Sequence, residues 1–449
     1  MVNKIIDNLR DKKIAILGFG VEGKSTYRFV RKYLKNAEIT ILCSEEDEAE
    51  KSDILKKDEF AKFVVGKGYL DNLDKYDVIL KAPGVSFKNI EINKFANKIT
   101  SQLELFLEYN NCLTIGVTGT KGKSTTSSLI YSVIKDQGKD CYLLGNIGIP
   151  IFDKVEEITE NSVVVLELSS HALQYVKRST NIAVLLNIYE EHLDHYKDFN
   201  EYIDAKLNIL KCQKNTDIAI FNSDNENIKY NYKQNDYGIT TMGNCLNKNT
   251  IELKQNDIYY NDKKIITINE DEINLKGKHN INNIMFVLAV VKIMNLNIEK
   301  AFQTIKHFKP LEHRLEYVGT VDDVEYYNDS IATIPESTIC SIKALKKVNT
   351  LIVGGKDRGV KLDNLVEFLN NSEIRNVICM PKTGEYIAEG LKKSNKNVIL
   401  VSTMEEAVDM AKRVTEKSKI CLLSPAAASY GFFKNFKERG EIFKKNVLN

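Results

Sequence analysis

Short apolar runs alternate with amphipathic stretches along most of the chain, and that alternation predicts an α/β architecture of parallel sheets wound by helices. "KKIAILGFG" (12–20) is apolar, is broken by glycines and leads into the amphipathic "KSTYRFVRKYL" (24–34), a strand, turn and helix. "AEITILCS" (37–44), "FVVG" (63–66) and "DVILKAPGV" (77–85) continue as short strands. The polar "EYNNC" (108–112) interrupts the pattern, which restarts with "LTIGVTG" (113–119), "SVVVLELSS" (162–170) and "IAVLLNI" (182–188). From about Asn225 to Asp271 the chain turns rich in Asn, Tyr and Lys. Alternating pieces there, such as "DIYYNDKKIITI" (257–268), predict antiparallel hairpins inserted at one edge of the second sheet. "HNINNIMFVLAVVKIM" (279–294) predicts a helix, and beyond "FKPLEHRLEYV" a third unit begins. Its expected parallel strands are "TLIVGG" (350–355), "NVICM" (376–380), "NVILV" (397–401) and "KICLLSPA" (419–426). The expected domains are residues 1–109, 110–309 and 310–449.

Composition narrows the classes without naming one. A chain of 449 residues is too long for one ordinary domain, and 43% hydrophobic with 28% charged residues is usual for a globular protein. A net charge of +2 gives no reason to expect nucleic acid or an acidic membrane surface. "MVNKIIDNLRDKK" lacks the apolar core of a signal peptide, and no run is long enough to span a bilayer, so a cytoplasmic location is expected. The eight cysteines include no Cys-x-x-Cys pair, which argues against a zinc framework or a disulfide scaffold. No coiled-coil pattern argues for association, so a monomer is expected.

Two loops end in Gly-Lys-Ser-Thr. The first, Gly18-Phe19-Gly20-Val21-Glu22-Gly23-Lys24-Ser25, satisfies both Gly-x-Gly-x-x-Gly and Gly-x4-Gly-Lys-Ser. The second, Gly116-Val117-Thr118-Gly119-Thr120-Lys121-Gly122-Lys123-Ser124, misses the strict form by one position. Phosphoryl transfer also needs metal ligands at nearby strand ends, and these follow only the second loop. Glu167 ends an apolar strand, His192 follows another, and Lys206 lies on the next helix, whereas the first loop is followed by the surface-like acids of "ILCSEEDE" (41–48). The second loop is therefore expected to hold ATP. The first reads either as a ligand-free tight turn or as a diphosphate site at a helix N-terminus, the latter favoured by its position straight after a strand.

"GVTGTKGKST", "GNIG", "LELSS", "EEHLDHYKDFNEYIDAK", "LKGKHNINN", "LEHRLEYV", "NDSIAT" and "LLSPAAASYGFFKNFKERG" are similar, in order, to the signatures of the Mur ligases. The resemblance covers almost the whole chain and lies closest to the branch that adds D-glutamate to UDP-N-acetylmuramoyl-L-alanine. It implies three domains: a Rossmann-like one for the UDP end of the substrate, a central ATPase, and a Rossmann-like one for the amino acid. It implies ATP-driven amide formation through an acyl phosphate, in peptidoglycan precursor synthesis. A relative using L-glutamate, and a nucleotide-binding switch without ligase chemistry, are the alternatives.

The resemblance also implies roles. Gly18, Phe19, Gly20, Val21, Pro83 and Gly84 would lie against the UDP moiety, although Cys43 and Ser44 stand where the family often has an acid. Gly116, Thr118, Gly119, Thr120, Lys121, Gly122, Lys123, Ser124 and Thr125 would cradle ATP. Ser124 or Thr125, with Glu167, would hold a first Mg²⁺, and His192 a second, with no metal role for His195. Lys206 would carry a carbamate formed with CO₂, and Asn146 would orient the substrate carboxylate. Asn280 and Asn283 would face adenine, unless they only cap a helix, while Arg314 and Asp329 would reach phosphate and ribose. Thr333, Arg358, Ser429, Tyr430 and Phe436 would hold glutamate, with Ile331 departing from the family's usual lysine.

Overall fold

The computed structural model describes residues 1–44, 58–147, 149–193, 195–231, 238–241, 249–309 and 311–449. The acids expected at 45–48, Gly148 of "GNIG", Asp194, parts of the inserted region and Pro310 at the third expected boundary lie outside the described residues.

Two compact units divide the chain: Met1–Asn269 with Ile281–Ile305, and Glu270–Asn280 with Lys306–Asn449. The first unit holds two sheets. The N-terminal sheet contains β1 (Ile14–Leu17), β2 (Ile39–Cys43), β3 (Ala61–Val65), β4 (Val78–Lys81) and β5 (Ile99–Thr100), in the order β3-β2-β1-β4-β5. All its pairings are parallel, with Leu17 beside Leu42 on one flank and Lys81 on the other. The strand order reverses at β1, so a crevice opens at the carboxyl ends of β1 and β4, where doubly wound sheets receive ligands.

The second sheet contains β6 (Leu113–Thr118), β7 (Cys141–Gly145), β8 (Val163–Glu167), β9 (Ile182–Leu185), β10 (Ile218–Asn222), β11 (Gly238–Thr241), β12 (Asn249–Lys254), β13 (Asp257–Tyr260) and β14 (Lys263–Thr267). Its order is β14-β13-β12-β11-β10-β9-β6-β8-β7. The inserted region sits at its edge, as the alternating pattern predicts. β12, β13 and β14 are antiparallel, while β11 pairs parallel with both β10 and β12. β7, "CYLLG", had no clear pattern of its own, because it is half-buried at an edge.

Apolar packing joins the two sheets of this unit. Phe29, on the helix Val21–Tyr33, meets Phe152 at 4.3 Å between ring centroids, inside a core that runs from Ile5 to Ile228. Around that contact Ser25 donates to Asp153 at 2.8 Å, Arg28 pairs with the same carboxylate at 3.1 Å, and Lys32 and Tyr33 reach Glu156 at 2.6 and 2.7 Å.

The second unit holds one sheet: β15 (Glu316–Val321), β16 (Val324–Asn328), β17 (Val348–Gly355), β18 (Asn376–Lys382), β19 (Asn397–Leu400) and β20 (Ile420–Leu423), in the order β15-β16-β20-β17-β18-β19. The four expected strands are adjacent and parallel, and an antiparallel hairpin of β15 and β16 extends them. Its strands break up their apolar residues with Glu, Gly, Thr and Asn and escape a reading based on apolar runs. No helix among the described residues is long and apolar enough to cross a membrane.

Candidate functional site

Both phosphate-loop sequences form the expected strand-to-helix turns, from β1 into Val21–Tyr33 and from β6 into Lys123–Asp136. In the first, Gly23 is required by the fold, since a Cβ there would sit 2.0 Å from the Gly18 carbonyl oxygen. Gly20 is different. It caps the helix at φ −70°, and a Cβ would meet nothing within 4 Å, so no packing contact demands a glycine there. The Phe19 ring is buried against Phe63 and Tyr27, which leaves its backbone as the part able to meet a ligand. Val21 is 73% exposed, and Gly84 is open.

The second loop is gripped from several sides. Gly122 has φ +89°, a conformation that costs other residues energy, and an added Cβ would lie 2.6 Å from Asn283 Oδ1. Asn283 is thereby placed against the loop, whereas Asn280 donates to the Lys276 carbonyl at 2.8 Å. Lys123 Nζ donates back to the carbonyls of Gly119 and Thr120 at 2.9 and 3.0 Å. Lys121 pairs with Glu191 at 2.9 Å, Thr120 contacts the Tyr202 hydroxyl at 2.9 Å, and the Thr118 hydroxyl donates to Leu168 O at 2.7 Å. Gly116 lies within β6, and Ser124 and Thr125 lie in the first turn of the following helix.

Glu167 ends β8, beside Val117 of β6 and Gly145 of β7. It is buried, one carboxylate oxygen accepts from Asn146 Nδ2 at 2.8 Å, and the other is buried without a hydrogen-bond partner. An orphaned carboxylate oxygen beside a phosphate loop fits a hard divalent cation, which takes oxygen ligands.

Lys206 lies on the helix Phe199–Lys211, 1% exposed, with its amine donating to Gly119 O at 2.9 Å and standing 5.0 Å from the Tyr202 ring centroid. Burial, and then the neighbouring Lys123, drive its pKa well below the ordinary lysine range. A shift in that direction favours the uncharged, nucleophilic amine that carbamate formation requires. His192 takes φ +61°, with its ring 4.7 Å from that of His171. His195 is buried with Nε2 3.2 Å from Gln174 Oε1. Sequence reasoning missed His171, whose Nε2 is buried without a partner and whose pKa burial, His195 and His192 push well below the usual range.

A cavity of about 320 Å³ joins the carboxyl edges of the two sheets in this unit. Val21, Pro83, Asn146 and Glu167, all expected site residues, line it. So do Glu22, in the first turn of the helix after the first loop, and Lys81, which was missed although "ILK" shows the same signal as "VLE": a charged residue ending an apolar strand.

In the second unit, the carboxyl ends of β16, β17 and β20 carry Asp329, Thr333, Arg358, Ser429 and Tyr430, with Phe436 opening the final helix. Asp329 is buried, accepting from Ser341 at 2.6 Å and Ser424 at 2.9 Å. Burial lifts its pKa to about 6, opposed by those two serines and by Arg314. The fully buried Arg439, also missed, ties the loops together by donating to the Ser330 and Ala427 carbonyls at 2.7 and 3.0 Å. Arg358 and Tyr430 are exposed, and Ile331 is half-buried.

Residues 117–291 match the family model described as Mur ligase middle domain, and 313–427 the one described as Mur ligase, glutamate ligase domain. A Clostridium botulinum protein named UDP-N-acetylmuramoylalanine--D-glutamate ligase is 34% identical over 100% of this chain and 98% of its own length. One of the same name from Clostridium kluyveri is 36% identical over 98% and 97%. Among solved structures, the UDP-N-acetylmuramate-alanine ligase MurC of Thermotoga maritima superposes with a TM-score of 0.60 at 17% identity, covering 97% of this chain and 99% of that one. MurF ligase from the same organism, in complex with ADP, gives 0.60 at 15% over 99% and 96%.

Proposed function

The chain belongs to the Mur ligase family, and from that premise we infer that it joins D-glutamate to UDP-N-acetylmuramoyl-L-alanine using ATP. The observation that carries this reading is the cavity that links the first loop to Glu167 beside the second. A UDP-linked substrate anchored at the first crevice can extend through that space until its alanyl carboxylate reaches the ATP site. The two loops then bind two different nucleotides for one reaction.

A carboxylate resists attack by an amine, so its oxygen first takes the γ-phosphate of ATP. The amine of glutamate adds to the resulting acyl phosphate, and phosphate leaves from the tetrahedral adduct. Lys123 would turn its ammonium from the loop carbonyls to the outer phosphates, and Asn146 would orient the substrate carboxylate. Ser124 or Thr125 with Glu167, and His192 with carbamylated Lys206, would hold two Mg²⁺ ions, which supply charge neutralisation for the transferring phosphoryl group. Asn280, Asn283, Arg314 and Asp329 would serve the nucleoside and phosphates of ATP. Thr333, Arg358, Ser429, Tyr430 and Phe436 would hold glutamate, the exposed guanidinium suiting its side-chain carboxylate. With no coiled-coil pattern in the sequence, a monomer is the expected working unit, and both nucleotide substrates support a cytoplasmic location.

Phosphate release from ATP tests the reading. It should require UDP-N-acetylmuramoyl-L-alanine and D-glutamate together, and L-glutamate should not substitute. Release that ignores the muramoyl substrate would sink the assignment.

A further inference from the structure

Lys81 is a buried lysine at the first crevice whose charge the fold leaves poorly answered. It ends β4 directly beside Leu17 of β1, where the Gly18–Gly23 turn begins, so it stands at the point where the strand order reverses. Only 5% of it is exposed, and it lines the cavity together with Val21 and Glu22 of the helix that follows the turn. Its ammonium donates to the carbonyls of Ala82 and Pro83 at 3.3 and 3.5 Å, both long for charged donors. The rings of Phe87 and Tyr175 stand 5.8 and 5.5 Å away. The carboxylate that bears on its charge is Glu22, in the first turn of that helix, and burial perturbs both groups, raising Glu22 to about 7 and lowering Lys81 to about 8. Lys24 of the Gly-Lys-Ser sequence does not line the cavity; its ammonium stands 6.0 Å from the Phe19 ring centroid.

We propose that Lys81, not the Lys24 of the loop motif, supplies the positive charge that binds the diphosphate of the nucleotide-sugar substrate, with Glu22 as its stand-in counter-ion while the crevice is empty. The proposal rests on the functional reading above and assigns a specificity residue within it. Two features make the arrangement suited to an arriving anion. A buried ammonium with weak partners gains more from a diphosphate than a hydrated one does. A carboxylate at the start of a helix opposes the dipole-favoured binding of a second anion, so Glu22 competes with the ligand it resembles in charge.

Calorimetric titration of uridine, UDP, UDP-N-acetylmuramate and UDP-N-acetylmuramoyl-L-alanine into the full chain, without ATP, tests this. Lys81→Met should weaken the three diphosphates about tenfold or more, the usual scale for a lost charge-assisted hydrogen bond. Lys81→Arg should retain most of the affinity, KM for ATP should not move, and uridine should be indifferent to each change. Glu22→Gln should tighten the same three ligands, an outcome a merely structural lysine would not produce and one that stands if Lys81→Met does not fold. Unaltered diphosphate binding in a folded Lys81→Met protein, or weaker binding in Glu22→Gln, overturns the proposal. Weakening confined to the two carboxylate-bearing ligands would overturn the diphosphate assignment and give Lys81 to the carboxylate. Failure of the wild-type chain to bind any of the diphosphates would instead remove the functional reading itself.

Discussion

Gly20 and Gly23 lie three residues apart in one motif, yet they answer to different demands. Gly23 is enforced by the Gly18 carbonyl 2.0 Å from its absent Cβ, whereas the space around Gly20 is open. Gly23→Ala should therefore destabilise the chain markedly, because a backbone carbonyl cannot step aside, and thermal unfolding will show it. Gly20→Ala should leave the melting temperature nearly unchanged while raising KM for the UDP-linked substrate, and an unchanged KM would return the first loop to a ligand-free turn. At the second loop, Lys206→Ala should abolish turnover while nucleotide binding, read by titration with an ATP analogue, survives; near-normal turnover would refute the carbamate. Asp329 offers a pH test. Its carboxyl is lifted to about 6 from 3.8, so between those values the folded chain binds more protons there than the unfolded chain does. Its contribution to stability falls as the pH rises through that window. Asp329→Asn should flatten that slope and hold or raise the melting temperature at pH 7 while lowering turnover, the pattern expected of a charge kept for function at a cost in stability.

Between elements, the helix Val21–Tyr33 has two tasks. Its N-terminus faces the first crevice, and its outer face fixes the second sheet through Phe29 on Phe152 and through the acids Asp153 and Glu156. Ser25 is fully buried and donates to Asp153, so Asp153→Ala leaves a hydroxyl without its acceptor. A loss of about 1–3 kcal/mol is expected from such an orphaned group, measurable by denaturant unfolding. The exposed pair of Lys32 and Glu156 should contribute far less, because both partners are well solvated. Ser25 is thus the hydroxyl of a phosphate-loop sequence used as a structural donor, which is one reason the better match to the written motif need not be the ATP site.

At the scale of the molecule, the chain resolves into two compact units, and the expected substrate contacts divide between them. Residues expected to meet the UDP moiety lie in the first unit and those expected to meet glutamate in the second. Ligands that bind only the folded form stabilise the part they touch. Scanning calorimetry should accordingly show the UDP-linked substrate raising the transition of the first unit and D-glutamate that of the second. A single transition raised equally by both would show that the two units unfold as one.

The alternation of apolar runs determined most of the parallel strands in the three sheets, because strands buried on both faces must be continuously apolar. The two turns were legible because glycines at fixed spacing mark strand-to-helix turns, and Glu167 because a charge ending such a strand is conspicuous. The two-residue edge strand β5 was too short to show a pattern and β10 was passed over, while the edge strand β7 and the hairpin of β15 and β16 escaped because half-exposed strands carry polar residues that hide their period. What each charged group can do was decided by tertiary structure alone. Burial shifts the amine of Lys206 toward its neutral form and leaves one oxygen of Glu167 without a partner; parallel register pairs Lys81 with Leu17 at the start of the first turn, sixty-four residues away in sequence. Spacing along the chain selects residue types for a site. Desolvation, and the neighbours that folding supplies, decide which of them are left with chemistry to perform.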